Sequence, residues 1–171
     1  MAPLPVLIGS NFSNPESLRM SMACRVLLVE EDAAERKLVL SALGQSELVD
    51  HTVSVKDRNE ALDFLYARNP FIDRPTGYPG VIVIGPRLAW GIGVTLLSDI
   101  RGDAALRRIP VVIVVVKPDA EMIRIAYEYG VNSLVAISED ANVRVQRYAL
   151  LARYWGWANE PPPGCLLQSK T

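Results

Sequence analysis

Between Arg25 and Trp157 the sequence alternates short apolar runs with stretches of helical periodicity, and this alternation constrains the fold more than any other feature. The apolar runs predict five strands, at Arg25–Val29, His51–Val55, Val81–Ile84, Val111–Val116 and Leu134–Ile137. Strands that alternate with helices form parallel sheets through right-handed crossovers. We therefore expect a doubly wound α/β fold with the flavodoxin-like strand order 2-1-3-4-5 and helices on both faces.

Capping residues and glycines mark the ends of the predicted helices. Asp32 is placed to cap a first helix that Gly44 ends, and Asp119 to cap a fourth helix that Gly130 closes. Val111–Val116, almost entirely β-branched, is typical of a parallel strand covered on both faces. The other helices are expected at Asn59–Ala67, Gly93–Ile100 and Ala141–Trp157, and the prolines from Pro161 stop the last of them.

The length of 171 residues fits one domain with short tails. Residues 1–23, rich in Pro, Ser, Asn and Met, lack periodicity and are expected to form a flexible leader, in which Met20 or Met22 is a candidate natural start. The folded domain is expected at residues 24–158. Residues 159–171 are expected to form a disordered C-terminal tail.

The composition argues against several classes of function. Because 18 Lys and Arg face 19 Asp and Glu, the net charge of −1 gives no general attraction to nucleic acid or anionic membranes. The longest apolar stretch, Pro110–Val116, is far shorter than the about 20 residues that cross a bilayer. Cys24 and Cys165 have no metal-type spacing and are expected to be reduced. We expect a soluble cytoplasmic protein that binds neither nucleic acid nor membrane.

The sequence predicts no cofactor. Glu30, Glu31 and Asp32 follow the first strand and would repel the phosphate of a flavin or dinucleotide. Gly91-Ile-Gly93 lacks the third glycine of a dinucleotide fingerprint and is interpreted as a turn. His51, the only histidine, is interpreted as a strand-edge residue and not as a catalyst.

Three segments resemble a known family. Val26-Leu-Leu-Val-Glu-Glu-Asp32 resembles the opening of response-regulator receiver domains, in which two acidic residues after strand one help to hold Mg²⁺. Asn59-Glu-Ala-Leu-Asp-Phe-Leu65 and Leu106-Arg-Arg-Ile-Pro110 resemble the stand-alone receivers paired with bacterial phytochrome histidine kinases. The resemblance covers about residues 25–157. It implies two-component signalling, with a histidine kinase, phytochrome-like or not, or another signalling protein as the partner.

The same resemblance implies that the phosphorylation site is degenerate. The carboxylate nucleophile expected after strand three falls on Gly85, and no Asp or Glu occurs from Arg74 through Ser98. The expected hydroxyl, lysine and switch aromatic residue fall on Val115, Ile137 and Leu134, respectively. These positions predict a pseudo-receiver that is neither phosphorylated nor an enzyme.

The acidic residues Glu30 and Glu31 are interpreted as a vestigial metal site. Without a third acidic ligand they predict weak Mg²⁺ binding at most. The alternative interpretation is a solvated pair favoured by the positive end of the helix dipole. Our hypothesis is that a protein cation, Arg87 or Lys117, replaces Mg²⁺ and locks one conformation.

The last helix carries more aromatic residues than a small domain readily buries. About half of them are expected in the core, and the rest in an interface. In the receivers that the chain resembles, the face made by helix four, strand five and helix five is the usual dimer and partner surface, so the resemblance implies an isologous homodimer through it. The candidate interface residues are Met122, Ile123, Tyr127, Tyr148, Leu151, Tyr154, Trp155 and Trp157.

Three functions remain open from the sequence. The preferred one is a phosphorylation-independent interaction module, for example a decoy that occupies a kinase. The second is a small-molecule or nucleotide sensor that uses the vacated pocket around Gly85, Val115 and Ile137. The third is a receiver that is phosphorylated on another Asp.

Overall fold

Five parallel strands form one sheet in the order β2-β1-β3-β4-β5, which confirms the predicted topology. The computed structural model describes residues 24–45 and 48–165, so the predicted leader lies outside the described residues. In the sheet, Val29 lies opposite both Val55 and Ile84, so that the first three strands end at the same level. The strands are β1 (Val26–Val29), β2 (Thr52–Val55), β3 (Val81–Ile84), β4 (Val111–Val116) and β5 (Ser133–Ile137).

Four of the five α-helices in the described part of the chain begin at an aspartate cap, and two of these caps, Asp32 and Asp119, were predicted from the sequence. Asp32 accepts a hydrogen bond from the Glu35 N–H at 2.7 Å, and Asp119 accepts one from the Met122 N–H at 2.7 Å. Each cap satisfies an N–H group that the helix itself leaves unpaired. The helices are α1 (Ala33–Gly44), α2 (Arg58–Leu65), α3 (Ile92–Gly102), α4 (Ala120–Glu128) and α5 (Ala141–Ala152), and short 3₁₀ turns occupy Val49–His51 and Asn69–Phe71.

The last helix differs from its prediction because it changes type after Ala152. Arg153–Ala158 forms a π-helical turn in place of the predicted α-helix to Trp157. Gly156 lies so close to Leu48 that a Cβ atom on it would overlap the leucine Cδ1. The Arg25 guanidinium donates to the Gly156 carbonyl at 3.0 Å. Close approach to the start of the sheet thus fixes a backbone geometry that helical periodicity does not reveal.

Two apolar layers cover the two faces of the sheet. In β4, Val111, Ile113 and Val115 face one layer, while Val112 and Val114 face the other. The first layer includes residues of α2, α3 and α4, and the second includes residues of α1 and α5. Every residue of β1 and β3 is buried, as the continuous apolar runs predict.

The chain returns to the domain after the three prolines. Residues 159–165 fell within the predicted disordered tail, yet the Tyr78 N–H donates to the Gly164 carbonyl at 3.1 Å. Cys165 is buried in the same apolar layer as Cys24, and both cysteines are free thiols. Burial raises the pKa of Cys24 to about 12. Within the described ranges, no helix has the length and apolarity that crossing a bilayer requires.

Candidate functional site at the carboxyl edge of the sheet

Residues that follow parallel strands meet at one edge of a sheet, and ligand sites of doubly wound folds lie there. The structure brings Glu30, after β1, next to Gly85, after β3, and the Gly85 N–H donates to the Val29 carbonyl at 2.8 Å. Val115 and Ile137 end up almost fully buried on the neighbouring strands. Leu134 is half-buried and packs against the first apolar layer.

The Glu30 carboxylate occupies the space next to Gly85. A Cβ atom on Gly85 would overlap the carboxylate Oε2 and lie 2.8 Å from Cδ. Glu30 Oε1 accepts from the Asp32 N–H at 2.8 Å, and Oε2 accepts from the Arg87 N–H at 3.3 Å. Glu30 is 0% exposed, and these two backbone N–H groups hold its carboxylate in place.

Burial raises the pKa of Glu30 above its ordinary value of 4.5. The two N–H donors oppose that rise, and the negative charges of Glu35 and Asp32 add to it. Its neighbour Glu31 is exposed, so the acidic pair predicted to mark a vestigial metal site is divided between the interior and the surface. Residues 24–45 and 48–165 contain no group of three or more His, Cys, Asp or Glu side chains that could hold a metal.

A second carboxylate, Glu35 of α1, lies at the centre of a buried polar cluster that sequence reasoning missed. Glu35 Oε2 accepts from Arg144 Nη1 at 2.6 Å, and Glu35 Oε1 accepts from the Tyr148 hydroxyl at 2.6 Å. Arg144 also donates from Nε to the Ser138 carbonyl at 2.9 Å. The cluster therefore joins α1, α5 and the loop before α5.

The only sequence signal for this cluster was the spacing of Arg144 and Tyr148, one helical turn apart on α5. Their partner Glu35 is 109 residues from Arg144 in the chain, so the contact depends on the tertiary fold. Burial, followed by the hydrogen bond to Glu35, raises the pKa of the Tyr148 hydroxyl. Tyr148 is therefore neutral over the physiological range and acts as a hydrogen-bond donor.

The cations predicted to replace Mg²⁺ do not pair with the acidic residues that follow β1. Lys117 Nζ binds Glu139 at 2.8 Å in an exposed ion pair. Arg87 contacts Glu30 through its backbone N–H, while its side chain is exposed. The buried ion pair at this edge is made by Arg144 instead, because α5 rather than either loop packs against α1.

A groove of about 330 Å³ lies beside this cluster. Val115 lines it, but neither Gly85 nor Ile137 does, because Glu30 fills the space at Gly85 and Ile137 is buried in the second apolar layer. The sequence analysis had placed a vacated, apolar pocket around all three residues. The observed groove is displaced from that position and also has charged walls, which are formed by Glu35, Arg87, Glu139 and Arg144.

The predicted interface residues separate into three groups by exposure. Tyr148 and Leu151 were wrongly assigned to the surface, because they face the second apolar layer and are 1% and 7% exposed. Trp155 is half-buried against that layer, and Met122 is half-buried beside the groove. Ile123, Tyr127, Tyr154 and Trp157 are exposed, as is Leu150, which the sequence analysis missed.

Trp157 is engaged at the opposite, amino-terminal edge of the sheet. The Arg25 guanidinium lies 4.7 Å from the centre of the Trp157 ring, and His51 meets the same ring edge to face. His51 belongs to the 3₁₀ turn before β2 and not to the strand itself. Trp157 therefore lies at the other edge of the sheet and is not part of the carboxyl-edge site.

A doubly wound sheet with an acidic turn after its first strand defines a receiver-like signalling domain. Bacteriophytochrome response regulator RtBRR has a solved structure that is 33% identical, with a TM-score of 0.63 and coverage of 82% of this chain and 84% of RtBRR. The phosphorylated cyanobacterial phytochrome response regulator RcpA is 26% identical, with a TM-score of 0.70 and coverage of 80% and 96%. No family model matches the sequence.

A curated relative gives the same result. Response regulator Rcp1 of Synechocystis sp. is 25% identical over 146 residues, which cover 85% of this chain and 93% of Rcp1. The chain belongs to the response-regulator receiver family.

Proposed function

We propose that this receiver domain takes no phosphoryl group and signals through protein contacts in a two-component pathway. The observation that carries the proposal is the packing of the Glu30 carboxylate directly against Gly85. The family resemblance assigns the phosphoryl-accepting carboxylate to position 85, where glycine offers no nucleophile. The Glu30 carboxylate lies in the space that a side chain at 85 would need.

The surrounding residues support the same proposal. A phosphoryl group on this edge would need hydrogen-bond donors and positive charge close to it. Val115 and Ile137 are aliphatic and buried at the positions where the resemblance expects a hydroxyl and a lysine. The Arg144 guanidinium already has a carboxylate partner in Glu35.

The partner that we propose is a histidine kinase, and the names of the relatives favour a phytochrome-like one. RtBRR and RcpA are described as phytochrome response regulators. A receiver that binds such a kinase without accepting its phosphoryl group would block the competent regulator. The chain would then act in the cytoplasm as an interaction module and not as an enzyme.

A second copy of the chain is the other partner that we propose. Helices α4 and α5 both pack against β5, and each exposes apolar side chains. On α5 and the following turn, Val143, Leu150 and Tyr154 recur at helical spacing and are 40%, 62% and 56% exposed. Together with Ile123 and Tyr127 of α4, they form a surface suited to an isologous dimer.

Phosphoryl transfer tests the main proposal directly. The chain is incubated with acetyl phosphate, or with a phytochrome-like histidine kinase that has autophosphorylated with ATP. It is then analysed by intact mass spectrometry beside RcpA as a phosphorylatable control. We expect the RcpA mass to rise by about 80 Da, the mass of one phosphoryl group, and the mass of this chain to stay unchanged. An adduct of that mass on this chain that hydroxylamine removes, as it does an acyl phosphate, would disprove the proposal and favour phosphorylation on another Asp.

Competition tests the role as a decoy. The kinase passes its phosphoryl group to a competent regulator in the presence of increasing amounts of this chain. We expect transfer to slow as the chain saturates the kinase, and direct binding to be equally tight with and without ATP. Unchanged transfer at saturating concentrations would exclude this form of the proposal.

A further inference from the structure

The groove beside the Glu35 cluster has the size and the mixed lining of a ligand site. Its volume of about 330 Å³ falls within the range of roughly 300–1,000 Å³ that is usual for small-molecule pockets. Val115 and Val116, at the end of β4, contribute apolar surface. Trp90 and Met122 provide an aromatic ring and a flexible side chain on the loop after β3 and on α4.

The charges around the groove are balanced except at one residue. Glu35 is paired with Arg144 at 2.6 Å, and Glu139 is paired with Lys117 at 2.8 Å. The Arg87 side chain is exposed, and it makes no ion pair with any residue in the described part of the chain. A ligand in the groove therefore meets one uncompensated positive charge, which favours an anion.

The apolar lining adds a second requirement to the ligand. Trp90 is 41% exposed, although its indole ring is largely apolar. A flat apolar group that covered this ring would remove the exposed surface from water and stack on it. Inorganic anions lack such a group, so the lining favours an organic one.

We propose that the groove binds a small organic anion whose carboxylate pairs with Arg87 and whose flat apolar body packs against Trp90. This inference goes beyond the proposed function, because a domain that accepts no phosphoryl group need not bind any ligand. The Arg87 backbone N–H bonds to Glu30 whether or not the arginine side chain is present. Arg87 can therefore be substituted without disturbing the Glu30 carboxylate.

The experiment is a titration of the full chain with 2-naphthoate, followed by backbone amide NMR shifts. We expect saturable shifts confined to amides that line or adjoin the groove, at residues 87–90, 115–117 and 122 and, on its other wall, at residues 35, 139 and 144. Arg87→Gln should weaken binding by about tenfold or more, because a hydrogen-bonded charge pair is lost. Trp90→Ala should weaken it as well, and the neutral analogue 2-naphthamide should bind the original protein as weakly as naphthoate binds Arg87→Gln.

The matched control is Lys37→Gln, which removes an exposed cation from α1 and should leave naphthoate binding unchanged. Circular dichroism establishes that each variant is folded. Shifts that fall outside the groove, or no saturable shifts at millimolar naphthoate, would overturn the proposal. Inorganic phosphate that produced the same shifts with the same affinity would overturn it too, because the apolar body would then contribute nothing.

Discussion

The Glu30 carboxylate lies where the side chain of residue 85 would begin, so Glu30 and Gly85 fit together only while residue 85 is glycine. Glycine is needed at position 85 because it has no side chain and not because of its backbone conformation, since the φ angle of Gly85 is not among the positive values in the described chain. A larger residue at 85 would force the Glu30 carboxylate away from the Asp32 and Arg87 N–H groups. One glycine thus both removes the expected nucleophile and accommodates a buried acid.

Gly85→Ala is expected to destabilise the domain by about 1–3 kcal/mol, the usual cost of adding a methyl group to a filled site. In a Glu30→Ala background the same substitution should cost much less, because the clashing carboxylate is absent. Urea unfolding of the two single variants and the double variant measures this coupling.

Gly102→Ala is the matched control for Gly85→Ala, since a Cβ atom on Gly102 has no neighbouring atom within 4 Å. Its effect should stay within about 0.5 kcal/mol, as for other exposed helix positions. Equal effects of Gly85→Ala in both backgrounds would contradict the observed packing of Glu30.

Arg144→Met is expected to destabilise the domain by about 3 kcal/mol, because it leaves the buried Glu35 carboxylate without its cation. Replacing Glu35 by Met as well should recover only part of that loss, because no unpaired charge then remains but the buried Tyr148 hydroxyl loses its acceptor. Tyr148→Phe should cost about 1–2 kcal/mol through the lost hydrogen bond. Thermal and urea unfolding measure all three variants.

The control for Arg144→Met is Arg124→Met, which breaks two exposed pairs on α4, with Glu121 and Glu128. Exposed pairs of this kind contribute little to stability, so that variant should unfold like the original protein. A double variant at Glu35 and Arg144 that is no more stable than Arg144→Met alone would show that the cluster does not act as a charge pair.

The sheet could be predicted because its signal is local. Val111–Val116 is a run of β-branched residues, and its burial on both faces follows from that composition. Within the site, only residues at the ends of strands, such as Gly85 after β3, could be placed from the sequence. The arginine that pairs with the buried Glu35 could not be identified, because Arg144 reaches Glu35 through the packing of two helices far apart in sequence.

The same limit explains the errors on the last helix. Tyr148 and Tyr154 are both aromatic residues on one helical segment, but Tyr148 faces Glu35 and Tyr154 faces solvent. Their exposure depends on the rotation of α5 against the sheet and on the π-turn that Gly156 permits. Neither feature leaves a periodic signal in the sequence.

The raised pKa of Glu30 predicts a specific pH dependence of stability. Its pKa in the folded chain lies above the ordinary 4.5, so the folded state binds the proton more tightly than the unfolded state does. The stabilisation is fully present below about pH 4.5 and is lost as the pH rises through the folded pKa. The unfolding free energy of Glu30→Gln should not show this decrease with rising pH, whereas that of Glu31→Gln, at the exposed neighbour, should still show it.

Carboxyl ¹³C NMR shifts of Glu30 and unfolding at several pH values provide the two measurements. The expected result is a Glu30 titration midpoint above 4.5, accompanied by an unfolding free energy that falls with pH relative to Glu30→Gln. A midpoint at or below 4.5 would show that the two backbone N–H donors outweigh burial.

Leu150→Asp is expected to weaken the proposed homodimer without destabilising the domain. Leu150 is 62% exposed, so the charge replaces an apolar side chain that contributes little to the core. In an isologous dimer the substitution occurs twice, and each copy brings a charge into the apolar surface around Tyr154. Sedimentation equilibrium should show a shift toward monomer, with an unchanged melting temperature at low concentration.

Ile72→Asp, at a 65% exposed residue in the loop before β3, is the control and should leave association unchanged. Equal association of the original protein and Leu150→Asp would place any dimer contact elsewhere.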